Sequence, residues 1–284
     1  MDNDNETRLK ERLIRQVRGV SSMLVAFSGG VDSSLLLAMA HEILGENTVA
    51  ATAISDIFPA QEKEVASKFT RDRGIEHIVF GSEEMNLPAF VSNGPDRCYH
   101  CKKSLFQKLI EIAEERGIEC VAHGANVDDL KDYRPGLKAA GEMGIMAPLL
   151  DSGLRKQDIR FLAKEKGFSQ WDKPAMACLA TRIPYGSPIT SEKLKMIEEA
   201  EKFLFEKGIR QCRVRHHDSV ARIEVESPGL SMIMHNDVRE AIVLKFREIG
   251  FLHISVDLEG YVSGSMNRML KIESVEQNNK AGGF

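Results

Sequence analysis

No stretch of this chain approaches the ~20 consecutive apolar residues that a membrane-spanning helix requires. Cysteine is sparse, five in 284 residues, which excludes a disulfide scaffold. A basic excess is missing too: Lys+Arg 38 against Asp+Glu 42 gives a net charge of −4. That balance argues against a protein whose main task is holding a polyanion, although a local basic patch is compatible with it. The first residues, Met1-Asp-Asn-Asp-Asn-Glu6, are acidic and polar, the reverse of a signal or transit peptide. The expected compartment is therefore the reducing cytoplasm, where cysteines serve more often as ligands or nucleophiles than in disulfides. What is present is ordinary: 43% hydrophobic and 28% charged residues, as in soluble globular proteins and unlike disordered or collagenous chains. The length favours two domains, and a chain of this size buries roughly 75% of its unfolded surface without staples.

Hydrophobic periodicity sets the organisation. Residues 6–20 read as a charged helix. Met23-Leu-Val-Ala-Phe27 is a short strand stopped by Ser28-Gly29-Gly30, and Leu35, Leu36, Leu37, Met39, Ala40, Ile43 and Leu44 form the broad face of a buried helix. Thr48–Ile54 reads as a strand, 59–71 as a helix with Pro59 in its first position, and 75–80 as a third strand. A helix over 101–117 stops at Gly117, and 119–123 is a fourth strand. Four strand–helix alternations predict an α/β fold, a parallel sheet with helices on both faces. Ligands of such sheets bind beyond the carboxyl ends of the strands, where Ser28, Ile54, Phe80 and His123 all fall. A cluster of Pro174, Pro184, Gly186 and Pro188 then leads to a second block. It comprises a helix over 191–207, alternating strands near 210–216 and 220–226, a helix over 235–249 and a strand over 252–256. The expected division is a nucleotide-binding domain over 1–186, a small α+β substrate or oligomerisation domain over 187–272, and a frayed tail over 273–284.

Ser28-Gly-Gly-Val-Asp-Ser-Ser34, between a strand and a helix, is the strongest motif. Its glycines permit backbone conformations closed to other residues and close approach of main-chain N–H groups to a ligand. The helix start behind it adds unpaired donors and a positive dipole end. Ser28, Ser33 and Ser34 offer hydroxyls, and Asp32 is placed to hold Mg²⁺ beside phosphates. No Lys follows the glycines, which excludes the Walker A pattern, and no Gly-x-Gly-x-x-Gly follows a strand, which disfavours a nicotinamide or flavin enzyme. Ser-Gly-Gly-x-Asp-Ser resembles the pyrophosphate loop of the PP-loop ATP pyrophosphatases (adenine-nucleotide α-hydrolase type). That superfamily includes amidotransferase synthetases and tRNA thiolases, and its members adenylate a substrate oxygen and release pyrophosphate. Ala122-His-Gly-Ala-Asn-Val-Asp-Asp129 resembles its second motif. Ile54, Gly124, Asp128 and Asp129 join the loop as nucleotide-binding candidates, the two carboxylates suiting either Mg²⁺ or a helix cap.

The cysteines select a subfamily. Cys98-Tyr-His-Cys101-Lys102 opens a helix, and Cys178 lies between Lys173 and Arg182, settings that favour thiolate. Cys120 and Cys212 read as structural. Lys173-Pro-x-x-Ala-Cys178-Leu-x-x-Arg182-x-Pro-Tyr-Gly186, with Arg97-Cys-Tyr-x-Cys-Lys102 and the pyrophosphate loop, resembles the LarE sulfur-insertion enzymes of nickel-pincer nucleotide biosynthesis over residues 10–270. The resemblance implies adenylation of a carboxylate on a pyridinium biscarboxylic acid mononucleotide and its conversion to a thiocarboxylate. Cys178 matches the family's sulfur cysteine, which in sacrificial members is left as dehydroalanine. With Cys98 and Cys101, it also matches three-cysteine members that hold a 4Fe-4S cluster with one iron open to sulfide. Arg213 and Arg215 alternate on a strand, share a face and suit a phosphate. Arg182 and Glu201 join them as pocket residues by the same resemblance, which also implies a homo-oligomer. The competing readings are a tRNA thiolase of the same superfamily, which predicts a basic face and zinc-knuckle cysteines, and a nucleotide-binding regulator without chemistry. An amidotransferase synthetase would need an ammonia source, and no glutaminase motif accompanies the chain.

Overall fold

A computed structural model describes residues 3–131, 135–172, 177–262 and 264–268. The expectations that rest on Lys173, Pro174 and the tail from Ser274 lie outside the described residues. Two compact units comprise the described parts of Met1–Leu87 with Cys98–Met176, and of Pro88–Arg97 with Ala177–Phe284.

The first unit is built on four parallel strands, β1 (Met23–Ala26), β2 (Thr48–Ile54), β3 (Glu76–Gly81) and β4 (Cys120–His123), in the order β3-β2-β1-β4. Successive side chains of β1 point to opposite faces, and both faces are covered. Met23 and Val25 join one core with Leu13 of α1 (Asn3–Arg18), Leu35–Leu37 of α2 (Val31–Leu44), Phe69 of α3 (Ala60–Arg71) and Ile159 of α8 (Lys156–Glu165). Leu24 joins the other with Val49, Val121, Phe106 and Leu109 of α5 (Arg97–Glu115), and Ala139 and Ala140 of α6 (Pro135–Glu142). The register sets Ala26 beside Ala51 and His123, and Ala51 beside Ile78. The carboxyl ends of all four strands therefore share one edge, and the loop beginning at Ser28 emerges there.

Some boundaries differ from the expectation. Pro59 caps α3 from outside rather than occupying its first position. Helix α5 begins at Arg97 rather than at Cys101, so Cys98 too lies inside its first turn. Beyond β4, the helices α6, α7 (Pro148–Asp151) and α8 have no counterpart in the sequence reading.

The second unit contains the four-residue helix α4 (Pro88–Val91), α9 (Ser191–Glu206), α10 (Ser227–Ile233) and α11 (Asn236–Ile249). Its sheet runs β5-β6-β7, with β5 (Cys212–His217) antiparallel to β6 (Val220–Val225) and β6 parallel to β7 (His253–Val256). Thr190 accepts a hydrogen bond from Lys193 N at the start of α9, an N-cap that satisfies one orphan donor. One face of α9 buries Leu194, Ile197, Ala200, Glu201 and Leu204. All but one are apolar, and the exception becomes important below.

Candidate active site

The loop after β1 is held by its own hydroxyls. Ser33 donates to Gly30 O at 3.1 Å and accepts from Ser28 N at 3.3 Å, while the Ser28 and Ser33 hydroxyls lie 3.1 Å apart. Gly29 has φ +74°, a left-handed conformation that favours glycine. Gly30 sits at φ −73° as the N-cap of α2, a conformation any residue adopts, so the expectation of two special dihedrals holds for Gly29 alone. Ser34 is buried and accepts from Gln170 Nε2 at 3.1 Å. The first turn of α2 thus leaves its main-chain donors and Asp32 at the sheet edge. Ile54, at the end of β2, is 37% exposed.

The second motif closes on this loop by backbone contact. A Cβ on Gly124 would lie 2.9 Å from Ser33 N and 3.1 Å from Ser33 Cα, so only glycine permits the approach. Asn126 N donates to Asp129 Oδ2 at 3.0 Å and Asp128 N to Asn126 Oδ1 at 2.9 Å. Asp128 Oδ2 accepts from Lys156 N at 2.8 Å. Both carboxylates therefore cap turns, which does not preclude ligand contact through their other oxygens.

The sequence reading missed Lys156. Its Nζ reaches Asp32 Oδ2 at 2.5 Å, while Asp32 Oδ1 is buried with no hydrogen-bond partner. Burial pushes the Asp32 carboxyl above the ordinary range, against the opposing pull of Lys156. Lys156 also lines a cavity of about 640 Å³ with Asp128, Arg155, Arg160, Lys164 and Trp171. Lys156, Arg160 and Lys164 recur every fourth residue and so share a helix face; that basic stripe is the signal that was available. At the end of β4, burial and the nearby Lys102 push His123 down to about 4.

Cys98 and Cys101 are half-buried on α5, one turn apart. Cys120 donates to Ser22 O at 3.4 Å, and burial with Glu119 nearby pushes its thiol up to about 11. Cys212 is fully buried and its thiol is also raised by burial. Among the described residues, no group of three or more His, Cys, Asp and Glu side chains could hold a metal ion. Cys178, the third thiol of the expected cluster, belongs to the second unit.

In the second unit Cys178 precedes a short turn over Leu179–Arg182. Arg182 has 0% and Glu201 3% of the side chain exposed. Arg182 Nε and Nη2 each donate to a Glu201 oxygen at 2.8 Å, and Arg182 Nη1 donates to Ala177 O at 2.6 Å and Cys178 O at 3.0 Å. Burial opposes the guanidinium charge, but the adjacent Glu201 outweighs it and holds Arg182 above its ordinary range. Glu201 Oε1 also accepts from Val214 N at 2.9 Å, tying α9, β5 and the cysteine turn together. Arg213 and Arg215 are buried rather than ordinary surface arginines. Arg215 donates to Thr181 O at 2.8 Å and to Glu224 Oε2 at 2.6 Å. Arg213 is lowered by burial and by repulsion from Arg182. Three buried guanidiniums here face two buried carboxylates, Glu201 and Glu224.

A parallel sheet whose edge carries a glycine–serine phosphate loop, closed by a second glycine motif, defines a nucleotide-binding protein of the PP-loop ATP pyrophosphatase class. No family model matches the chain. A pyridinium-3,5-bisthiocarboxylic acid mononucleotide synthase of Lactiplantibacillus plantarum is 34% identical over 92% of this chain and 94% of its own. An uncharacterized protein of Synechocystis is 40% identical over 90% of this chain and 96% of its own. A component of the glutamine-hydrolyzing GMP synthase of Pyrococcus furiosus is 24% identical over 91% of this chain and 83% of its own, a more distant relative. The chain belongs to the LarE-type family of ATP-dependent sulfur transferases. Among the described residues, no helix is long and apolar enough to cross a membrane.

Proposed function

We propose that this enzyme uses ATP to activate a carboxylate of a pyridinium biscarboxylic acid mononucleotide and replaces one of its oxygens with sulfur. Main-chain N–H groups of Ser28–Ser34 and the Lys156 ammonium take the triphosphate, and exposed Ile54 lies against the adenine. Asp32 Oδ1, buried without a partner, fits the Mg²⁺ that accompanies ATP, with Asp128 and Asp129 beside it; the ion offsets phosphate charge. The substrate carboxylate attacks the α-phosphorus, pyrophosphate leaves, and an acyl-adenylate forms. The Cys178 thiolate then attacks the acyl carbon, and AMP departs with the original oxygen. Removal of the Cys178 α-proton breaks its Cβ–S bond, leaving thiocarboxylate on the product and dehydroalanine on the chain. Arg213 and Arg215, which share a strand face, would take the phosphate of an anionic substrate. Arg182 and Glu201 serve by holding the cysteine turn.

The observation that carries this reading is the direct bond from buried Arg182 to the Cys178 carbonyl, which fixes a nucleophile's backbone in place. The test is a single turnover with ATP and the mononucleotide. Pyrophosphate, AMP and a loss of one hydrogen sulfide from the Cys178 peptide are expected, and an intact Cys178 after product formation would refute the thiol as sulfur source. A second reading, favoured by the one-turn spacing of Cys98 and Cys101, adds Cys178 to make a 4Fe-4S site. Such a cluster would supply sulfide and spare the thiol. Iron and acid-labile sulfide after anaerobic purification discriminate: about four of each, lost in Cys98→Ala, would favour it. A homo-oligomer is part of this proposal, and light scattering checks it.

A further inference from the structure

We propose that Asn93 and Arg97 are positioning residues for sulfur transfer, clamping the segment 183–189 that follows the Cys178 turn; this rests on Cys178 being the sulfur donor. The segment holds Pro184 and Pro188, which lack N–H groups, and it forms no helix or strand of its own. Within it, Pro184 O accepts from Ser187 N at 3.1 Å, and its carbonyls otherwise need donors from outside. Asn93 supplies them. Its Nδ2 donates to Pro184 O at 2.7 Å, Ser187 O at 2.8 Å and Ile183 O at 3.3 Å. The main chain repeats the pattern: Gly186 N donates to Asn93 O at 3.1 Å, and Ile189 N to Val91 O at 2.9 Å.

Asn93 is fully buried at φ +60°, a left-handed conformation uncommon outside glycine and best tolerated by Asn. Arg97 has 2% exposure. Its guanidinium donates to Asn93 Oδ1 and lies 4.7 Å from the centroid of the Tyr185 ring, itself part of the segment. Arg97 Nε has no hydrogen-bond partner, and no carboxylate faces the guanidinium among the described residues. A buried charge held only by an amide oxygen and a ring face is costly, so this arrangement is not explained by stability. It fixes the amide: Arg97 on Oδ1 forces both Nδ2 protons toward the carbonyls of 183–187. With Arg182 on the carbonyls of Ala177 and Cys178, the cysteine turn is gripped at its start and again directly after its end. Such rigidity holds a nucleophile in attack geometry.

The assay measures pyrophosphate release and thiocarboxylate formation separately in single turnovers of the full chain. Asn93→Asp keeps size and an acceptor for Arg97 but turns the three-carbonyl donor into an acceptor. It is expected to leave pyrophosphate release within about two-fold and to slow thiocarboxylate formation about ten-fold or more. Tyr185→Leu, which removes the ring under Arg97, is expected to show the same split with a smaller loss. Both steps falling together, neither falling, or both variants failing to yield folded protein would overturn the positioning role. Cys178→Ala runs in parallel. Thiocarboxylate formation surviving it would refute the sulfur-donor assignment, whatever Asn93→Asp does.

Discussion

Replacing Glu201 with Gln keeps the side-chain shape and removes one charge from the most enclosed ion pair of the second unit. In the wild type, Glu201 takes two N–H groups of Arg182 at 2.8 Å each and Val214 N at 2.9 Å. Glutamine can accept through one oxygen only, and its NH₂ would face a guanidinium donor. Arg182 would remain buried with that one neutral oxygen, the Ala177 and Cys178 carbonyls and the Thr181 hydroxyl as acceptors, and with no carboxylate to balance its charge. Breaking a fully buried pair by neutralising one partner costs about 3–5 kcal/mol, a large share of a typical domain's stability of about 5–15 kcal/mol. Urea unfolding followed by circular dichroism measures the loss, and iodoacetamide labelling of Cys178 reports on its turn. The expected outcome is a shift of the second unit's transition to lower urea, with faster Cys178 labelling. Arg182→Met with Glu201→Leu should recover part of the stability, because two apolar groups need no compensation, yet leave sulfur transfer impaired. A loss below about 1 kcal/mol for Glu201→Gln, with unchanged labelling, would refute the claim that this pair organises the cysteine turn.

Other perturbations separate binding from stability. Asp32→Asn removes a buried carboxyl whose proton affinity burial raises. Thermal denaturation of the unliganded enzyme should show a gain of about 1 kcal/mol near neutrality, shrinking in acid as the wild-type group protonates, while pyrophosphate release is lost. Gly124→Ala forces a methyl against Ser33 N, where a Cβ would be at 2.9 Å; equilibrium dialysis should show ATP affinity falling at least about ten-fold, with a stability cost of about 1–3 kcal/mol. His123 is neutral in the fold down to about pH 4, against an ordinary value of 6.5. The unfolded chain binds its proton first, so this group removes about 3 kcal/mol of stability as pH falls from 6.5 to 4; His123→Gln should flatten that slope in pH-dependent urea titrations.

Legibility in the sequence tracks how local the cause is. The four strands and the loop at Ser28 were readable because each depends on nearby residues: an apolar run, a glycine pair and a helix start. Gly29 shows both the reach and the limit of that logic, since its left-handed φ follows from the motif while Gly30 beside it needs no such freedom. Lys156 escaped because its partner Asp32 is 124 residues away, although the four-residue recurrence of Lys156, Arg160 and Lys164 was visible. Arg213 and Arg215 were correctly placed on one strand face, but alternation says nothing of what covers that face. Arg215 is buried against Glu224 of the neighbouring strand and the Thr181 carbonyl, and Arg213 against the Cys212 carbonyl and the Tyr261 ring. Asn93 was illegible for the same reason, because its partners are carbonyls about 90 residues away. Each of these pairs joins a charged or amide side chain to a group outside its own element. A polar residue flanked by apolar or proline-rich sequence is thus the feature to examine first in such chains.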